Sequence, residues 1–210
     1  MNVNLLNDFL FGKLFGERGC EKETLHLINP FTNKNFKSLS FELNEIKGNY
    51  KNNKKSVTDV LVMMNNDTLV NIEAQIGKQA KFHKRNHFYN SKIYSILLNV
   101  GEDYEELPMT IMINILGFNL HNLENYHTTF VLSEKINKEY TLEDIIETHY
   151  IDLARFRIKV RKNKIDLNDP KDRLTLLLDE KTPQSLIDQV IKMDEFANNI
   201  YKKNTSCFKR

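Results

Sequence analysis

Between Ser56 and Gln75 the chain reads SVTDVLVMMNNDTLVNIEAQ, two apolar, β-rich runs around the turn signal Asn65-Asn66-Asp67. By the period of two, Val57, Asp59, Leu61 and Met63 share one face of the first strand. Leu69, Asn71, Glu73 and Gln75 share one face of the second. Asp59 therefore meets Glu73 if the turn sets the right register. Residues 78–100 carry the clearest helical period. Phe82, Tyr89, Ile93, Ile96 and Val100 form the apolar stripe, with Lys78, Lys81, Arg85 and Lys92 along its edge. Gly101 is a natural stop. Residues 109–116, MTIMINIL, are continuously apolar and predict a buried central strand.

Elsewhere the pattern is less marked. Leu5, Phe9, Leu10 and Leu14 predict a short helix closing near Gly16 or Gly19, and a second helix over 20–29 closes before Pro30. Residues 36–46 read as a strand or an irregular segment, and 47–55 as a basic loop. Residues 130–136 read as a strand and 142–148 as a short helix. The run RFRIKVRKNK, residues 155–164, alternates basic and apolar positions. As a strand it exposes Arg155, Arg157, Lys159 and Arg161 on one face. Residues 174–178 and 184–203 read as C-terminal helices. There is no internal repeat and no low-complexity linker.

A chain of 210 residues holds one domain of good size, with room for a small appendage. Its 40% hydrophobic and 28% charged content is that of an ordinary soluble protein. No apolar run approaches the roughly 18 residues of a membrane span. The start MNVNLLNDFLFGKLFG has neither a basic leader nor a cleavage site, so a cytoplasmic location is expected. There Cys20 and Cys207 are read as free thiols. A net charge of +2 says little about partners, which moves attention to local charge.

The hairpin carries the chemistry. A carboxylate within an apolar strand costs several kcal/mol unless it is paired or bound to metal. Two such acids on adjacent strands make a site for a hard divalent cation. Mg²⁺ keeps several waters, so Asp59, Glu73 and the Ala74 carbonyl suffice as its protein ligands. With a bound metal the pair suits phosphodiester hydrolysis. Gln75, on the Glu73 face, can hold water or phosphate. His83 and His87 are four apart but lack the Glu and the third ligand of the H-E-x-x-H zinc pattern. His127 reads as structural. No Gly-rich phosphate loop and no nucleophile elbow is present.

Asp59, followed after a short hairpin by Glu73-x-Gln75, resembles the core of the PD-(D/E)XK nucleases. The wider text is similar to their transposase, or recombination-promoting nuclease, family. The matching stretches are DFLFGKLFG (8–16), SVTDVLV (56–62), VNIEAQI (70–76), KRNHFYNSKIYS (84–95), GEDYEELP (101–108), INILGF (113–118) and YHTTFVLSEK (126–135), in the family's order. The resemblance implies an α/β fold, a PD-(D/E)XK restriction-endonuclease-like core with a mixed central β-sheet flanked by helices. That core occupies residues 1–165, followed by a helical C-terminal extension over 166–210 whose abrupt ending, NTSCFKR, reads as a shortened tail. It also implies Mg²⁺-dependent DNA endonuclease activity, with Mn²⁺ substituting, linked to recombination or mobile elements. Carried over by position, Asp59 and Glu73 become metal ligands, and Gln75 takes the place of the motif's lysine. Arg85 and Tyr89 match polar positions of the family's long helix, and Asp8 is a candidate auxiliary acid. DNA is the expected partner, through phosphate contacts from Lys78, Lys81, Arg85, Tyr89 and Lys92. A homodimer stays open.

Simpler readings stand beside these. Asp59 and Glu73 alone could be solvated edge-strand acids. The basic helix edge could be a solvated flank, and the 155–164 run could be an edge-strand guard or a DNA-contacting ribbon. A nuclease-fold protein that only binds DNA or a protein partner is the alternative to an enzyme, and an RNA nuclease is a further one.

Overall fold

The computed structural model describes residues 4–41, 59–78, 80–95, 97–98, 101–120, 123–142 and 145–207, with side chains as far as Lys203. Val57, Ile96, Val100, the 47–55 loop, the end of the 36–46 segment and the Cys207 thiol lie outside the residues or side chains described. Six strands form one mixed sheet: β1 (Leu39–Ser40), β2 (Val60–Met64), β3 (Thr68–Gln75), β4 (Met109–Leu116), β5 (His127–Val131) and β6 (Ile146–Asp152). Their order is β1-β2-β3-β4-β6-β5, with β3, β4 and β6 parallel to one another and the other neighbours antiparallel. Seven helices surround the sheet among the described residues: α1 (Asp8–Phe15), α2 (Glu21–Thr32), α3 (Phe82–Tyr94), α4 (Leu153–Arg161), α5 (Pro170–Leu178), α6 (Gln184–Met193) and α7 (Glu195–Cys207).

The strand period sorts the two faces. Val60, Val62, Val70, Ile72, Ile111, Ile113 and Ile151 point to one side, where helices on either side of residue 165 cover them. Phe11 and Phe15 of α1, Phe31 of α2, Phe156 of α4, Leu176 of α5, Val190 of α6 and Ile200 of α7 belong to that single cluster. The opposite face is covered by α3, through Phe82 and Ile93. It carries Asn71, Glu73 and Asn114 among its apolar residues.

β3 and β4 form as the apolar pattern predicts. The turn does as well. Asn65 and Asn66 take positive φ of 47° and 66°, which Asn tolerates, and the Asp67 N–H closes onto the Met64 carbonyl at 3.0 Å. Four expectations are corrected. The 155–164 run is not a strand but helix α4, because Leu153, Phe156 and Val160 recur at helical spacing and pack on the core. Residues 142–148 hold no helix among those described; Ile146 opens strand β6, which lies between β4 and β5. α2 runs through Pro30 to Thr32, where burial of Phe31 and Thr32 offsets the hydrogen bond that proline cannot donate. The single helix expected over 184–203 is two, broken at Asp194, whose carboxylate caps α7 by accepting the Phe196 and Ala197 N–H groups.

Candidate active site

The hairpin register decides the site. Val60 pairs with Ile72, so Asp59, the next residue outward, stands across from Glu73. Asp59 itself lies in a bend just before β2 and is half-buried. Its Oδ2 accepts the Ala74 N–H at 2.7 Å. A strand residue directs its N–H and C=O to the same edge. The Ala74 carbonyl therefore points to the edge where β2 has ended, beside Asp59. The neighbouring Gln75 carbonyl points the other way and accepts the Gly117 N–H at 2.9 Å. Two glycines permit this crowding. A Cβ at Gly16, the C-cap of α1, would lie 3.1 Å from the Asp59 carbonyl oxygen, and one at Gly117 only 2.7 Å from that of Ile76.

Glu73 is 6% exposed, and its Oε1 has no hydrogen-bond partner among the described residues. Burial pushes its carboxyl up to about 7; the Arg85 cation opposes that rise and the Asp59 charge adds to it. Arg85 Nη1 donates to Gln75 Oε1 at 3.4 Å, and its guanidinium lies over the Tyr89 ring, 5.4 Å from the centroid. The structure thus gathers Asp59, Glu73, Ala74, Gln75, Arg85 and Tyr89 at the carboxyl end of β3.

The other expected residues are placed less tightly. Lys81 caps α3 in a left-handed conformation, φ 58°, while Lys78 precedes the helix and is exposed. Lys81, Arg85, Tyr89 and Lys92 line an open groove of about 650 Å³ along α3. Asp8 is exposed in the first turn of α1, whereas the end of α1 that approaches Asp59 is the opposite one, at Gly16. Lys84 and Phe88 also line the groove and were missed; their positions four apart on the polar side of α3 were the available signal. A buried asparagine seam was missed too. Asn86 donates to Asn114, which donates to the His149 carbonyl at 3.2 Å, and Asn71, 1% exposed, has both amide atoms unpaired.

This geometry fits a hard cation. An orphaned buried carboxylate oxygen, a second carboxylate and a carbonyl at one strand end are oxygen donors of the type Mg²⁺ takes with several waters. Among the described residues no group of three or more His, Cys, Asp or Glu converges, so a richer ligand set such as a zinc site is not formed there. Residues 5–204 match the family described as PD-(D/E)XK nuclease family transposase. The chain belongs to that family. The fold of the PD-(D/E)XK nucleases is thereby its own, and membership points to a nuclease- or transposase-related function; nucleases of this kind generally use divalent metal ions and act on DNA. No curated protein and no solved structure matches the chain. No helix among the described residues is long and apolar enough to cross a membrane.

The buried acid has a pH signature. With its folded-state value near 7 and its ordinary value at 4.5, Glu73 keeps a proton in the folded state that the unfolded chain releases. Stability without metal should therefore fall as pH rises from 4.5 to 7, by up to roughly 3 kcal/mol from this group. Urea unfolding in EDTA at several pH values should show that slope in the wild type and a flatter one in Glu73→Gln. Identical slopes would show that Glu73 is not held protonated. Added metal competes with the proton, so its affinity should rise across the same window.

Proposed function

We propose that this protein is a Mg²⁺-dependent DNA endonuclease that serves recombination or mobile elements. The observation that carries the reading is the convergence of Asp59, Glu73 and the Ala74 carbonyl on one strand end, with the Arg85 cation on Gln75 beside them. Asp59, Glu73 and Ala74 would hold Mg²⁺, or Mn²⁺ in its place. When bound, the metal supplies an activated water and offsets charge on the phosphoryl oxygens.

The chain's own groups do the rest. The Ala74 N–H fixes the Asp59 carboxylate, and burial fixes Glu73. Arg85 engages the Gln75 oxygen, so the donor that Gln75 has to offer is its amide nitrogen. A donor at that place binds an oxyanion or orients water but carries no charge. Arg85, braced on Tyr89, supplies the cation that lysine gives in the general motif, in a planar fork suited to phosphate. Lys78, Lys81 and Lys92 extend positive charge along α3 and contact DNA by its phosphates, without reading sequence.

The deciding experiment is nicking of supercoiled plasmid with and without Mg²⁺, wild type beside Asp59→Ala, with RNA in parallel. Cleavage of DNA only with Mg²⁺ and only by the wild type supports the reading. DNA binding without any Mg²⁺-dependent cut would leave a nuclease fold that only binds. The α3 groove has its own test. Lys81→Glu with Arg85→Glu should weaken binding to all sequences and lower the slope of log affinity against log salt by roughly one per lost phosphate contact. An unchanged slope would make this edge a solvated face.

A further inference from the structure

The basic run at 155–164 has no part in the site described above, yet as a helix it builds a second one. Arg155, Lys159 and Lys162 fall at i, i+4 and i+7, one stripe of α4. Together with Lys164 and Lys171 they line a cleft of about 330 Å³, against the acids Glu124 and Asp169. The far wall is Tyr126 and His127, where β5 begins. The cleft is built on fixed parts. Asp172, fully buried, accepts Lys159 Nζ at 2.7 and 2.5 Å and the Tyr126 hydroxyl at 2.8 Å, and Lys159 lies over the Tyr126 ring, 5.3 Å from its centroid. Lys162 and Lys164 are exposed at its mouth.

Sheet register places this cleft relative to the acids. Gln75 pairs with Leu116, and Leu116 pairs with Asp152, the residue that caps α4. The carboxyl ends of β3 and β6 are thus level, two strand spacings or about 10 Å apart. His127 pairs with Ile151, which brings the start of β5 to the same end. Nucleic acid advances about 3.4 Å per nucleotide along its axis, so a strand held at Gln75 reaches the cleft within a few nucleotides.

We propose that this cleft binds the backbone phosphates of the DNA substrate a few nucleotides from the scissile bond, as a second phosphate site across the sheet end from α3. The proposal rests on the nuclease reading for its ligand but is tested by binding alone. The probe is a labelled duplex of arbitrary sequence, titrated in EDTA at several salt concentrations. Lys162→Glu with Lys164→Glu should weaken binding at least tenfold at moderate salt and lower the salt slope by roughly two. The control is Lys135→Glu with Lys138→Glu, the same charge change on exposed residues past the far end of β5. It should leave the slope as in wild type. Equal effects from the two pairs would reduce the cleft to general charge and overturn the proposal, as would no effect from the first pair. Failure of the nuclease reading shows separately, as absence of plasmid nicking whatever these slopes are.

Discussion

Asp59→Ala and Glu73→Ala should each take DNA cleavage below detection, while Gln75→Ala still cuts. The ranking follows from what each side chain can supply. Asp59 and Glu73 are the two carboxyl groups at the end of β3; with the Glu73 proton displaced by metal, removing either removes half the negative charge that would hold a divalent ion. Loss of a single preorganised electrostatic donor costs about 100- to 1000-fold in rate. Loss of the metal removes water activation and charge relief together, so the deficit should exceed that. Gln75 is neutral and half-exposed, and its oxygen is already engaged by Arg85. Its removal misplaces groups without removing charge, so a loss on the order of 10- to 100-fold is expected. Arg85→Ala should fall between the two classes, since it deletes a cation but leaves the ion's ligands. Glu73→Gln separates chemistry from folding, because it keeps the shape of the side chain in its buried seat. Single-turnover rates at saturating Mg²⁺, with folding checked by circular dichroism, make the comparison. Should Asp59→Ala cut like wild type while Gln75→Ala is dead, the ligand assignment fails.

The hairpin was readable because two independent signals agree there. Alternation sets the faces, and the Asn65–Asp67 turn sets the register that puts Asp59 across from Glu73. β4 was readable from its unbroken apolar run. α4 was misread because RFRIKV satisfies a period of two as well as a helical one. What chooses the helix is tertiary: Asp152 accepts the Arg155 N–H at 2.9 Å as an N-cap, and Leu153 and Phe156 are drawn into the core. β6 was hidden for a related reason. It lies between two strands with its later residues buried on both faces, so no alternation marks it. Of the site, the acids were legible as charges in apolar strands. The grip of Arg85 on Gln75 and the asparagine seam depend on how α3 lies over the sheet, which no local pattern encodes.

Asp172→Ala should be among the most destabilising single substitutions outside the apolar core, costing about 3–5 kcal/mol, the range for breaking a buried ion pair from one side. Asp172 is 0% exposed and serves three donors through four contacts: Lys159 through both carboxylate oxygens, the Tyr126 hydroxyl and the Asp166 N–H at 2.8 Å. Burial, then the Asp172 charge, pushes the Tyr126 hydroxyl well above its ordinary range, so that phenol stays protonated and donating. Removing the acid leaves the Tyr126 hydroxyl, the Asp166 N–H and the Lys159 charge without their shared partner. The surface pair Lys13–Glu17 makes the contrast. Both of its side chains are about half exposed, and Lys13→Ala should cost only about 0.3–0.5 kcal/mol. For a chain of this size a loss of 3–5 kcal/mol lowers the melting temperature by on the order of 10 °C. Thermal unfolding of the two single variants reads the difference directly. Lys159→Ala added to Asp172→Ala should recover part of the loss, because the stranded charge goes with it. A loss below about 1 kcal/mol in Asp172→Ala would mean that this network is solvated rather than structural, and the fixed wall of the phosphate cleft would lose its support.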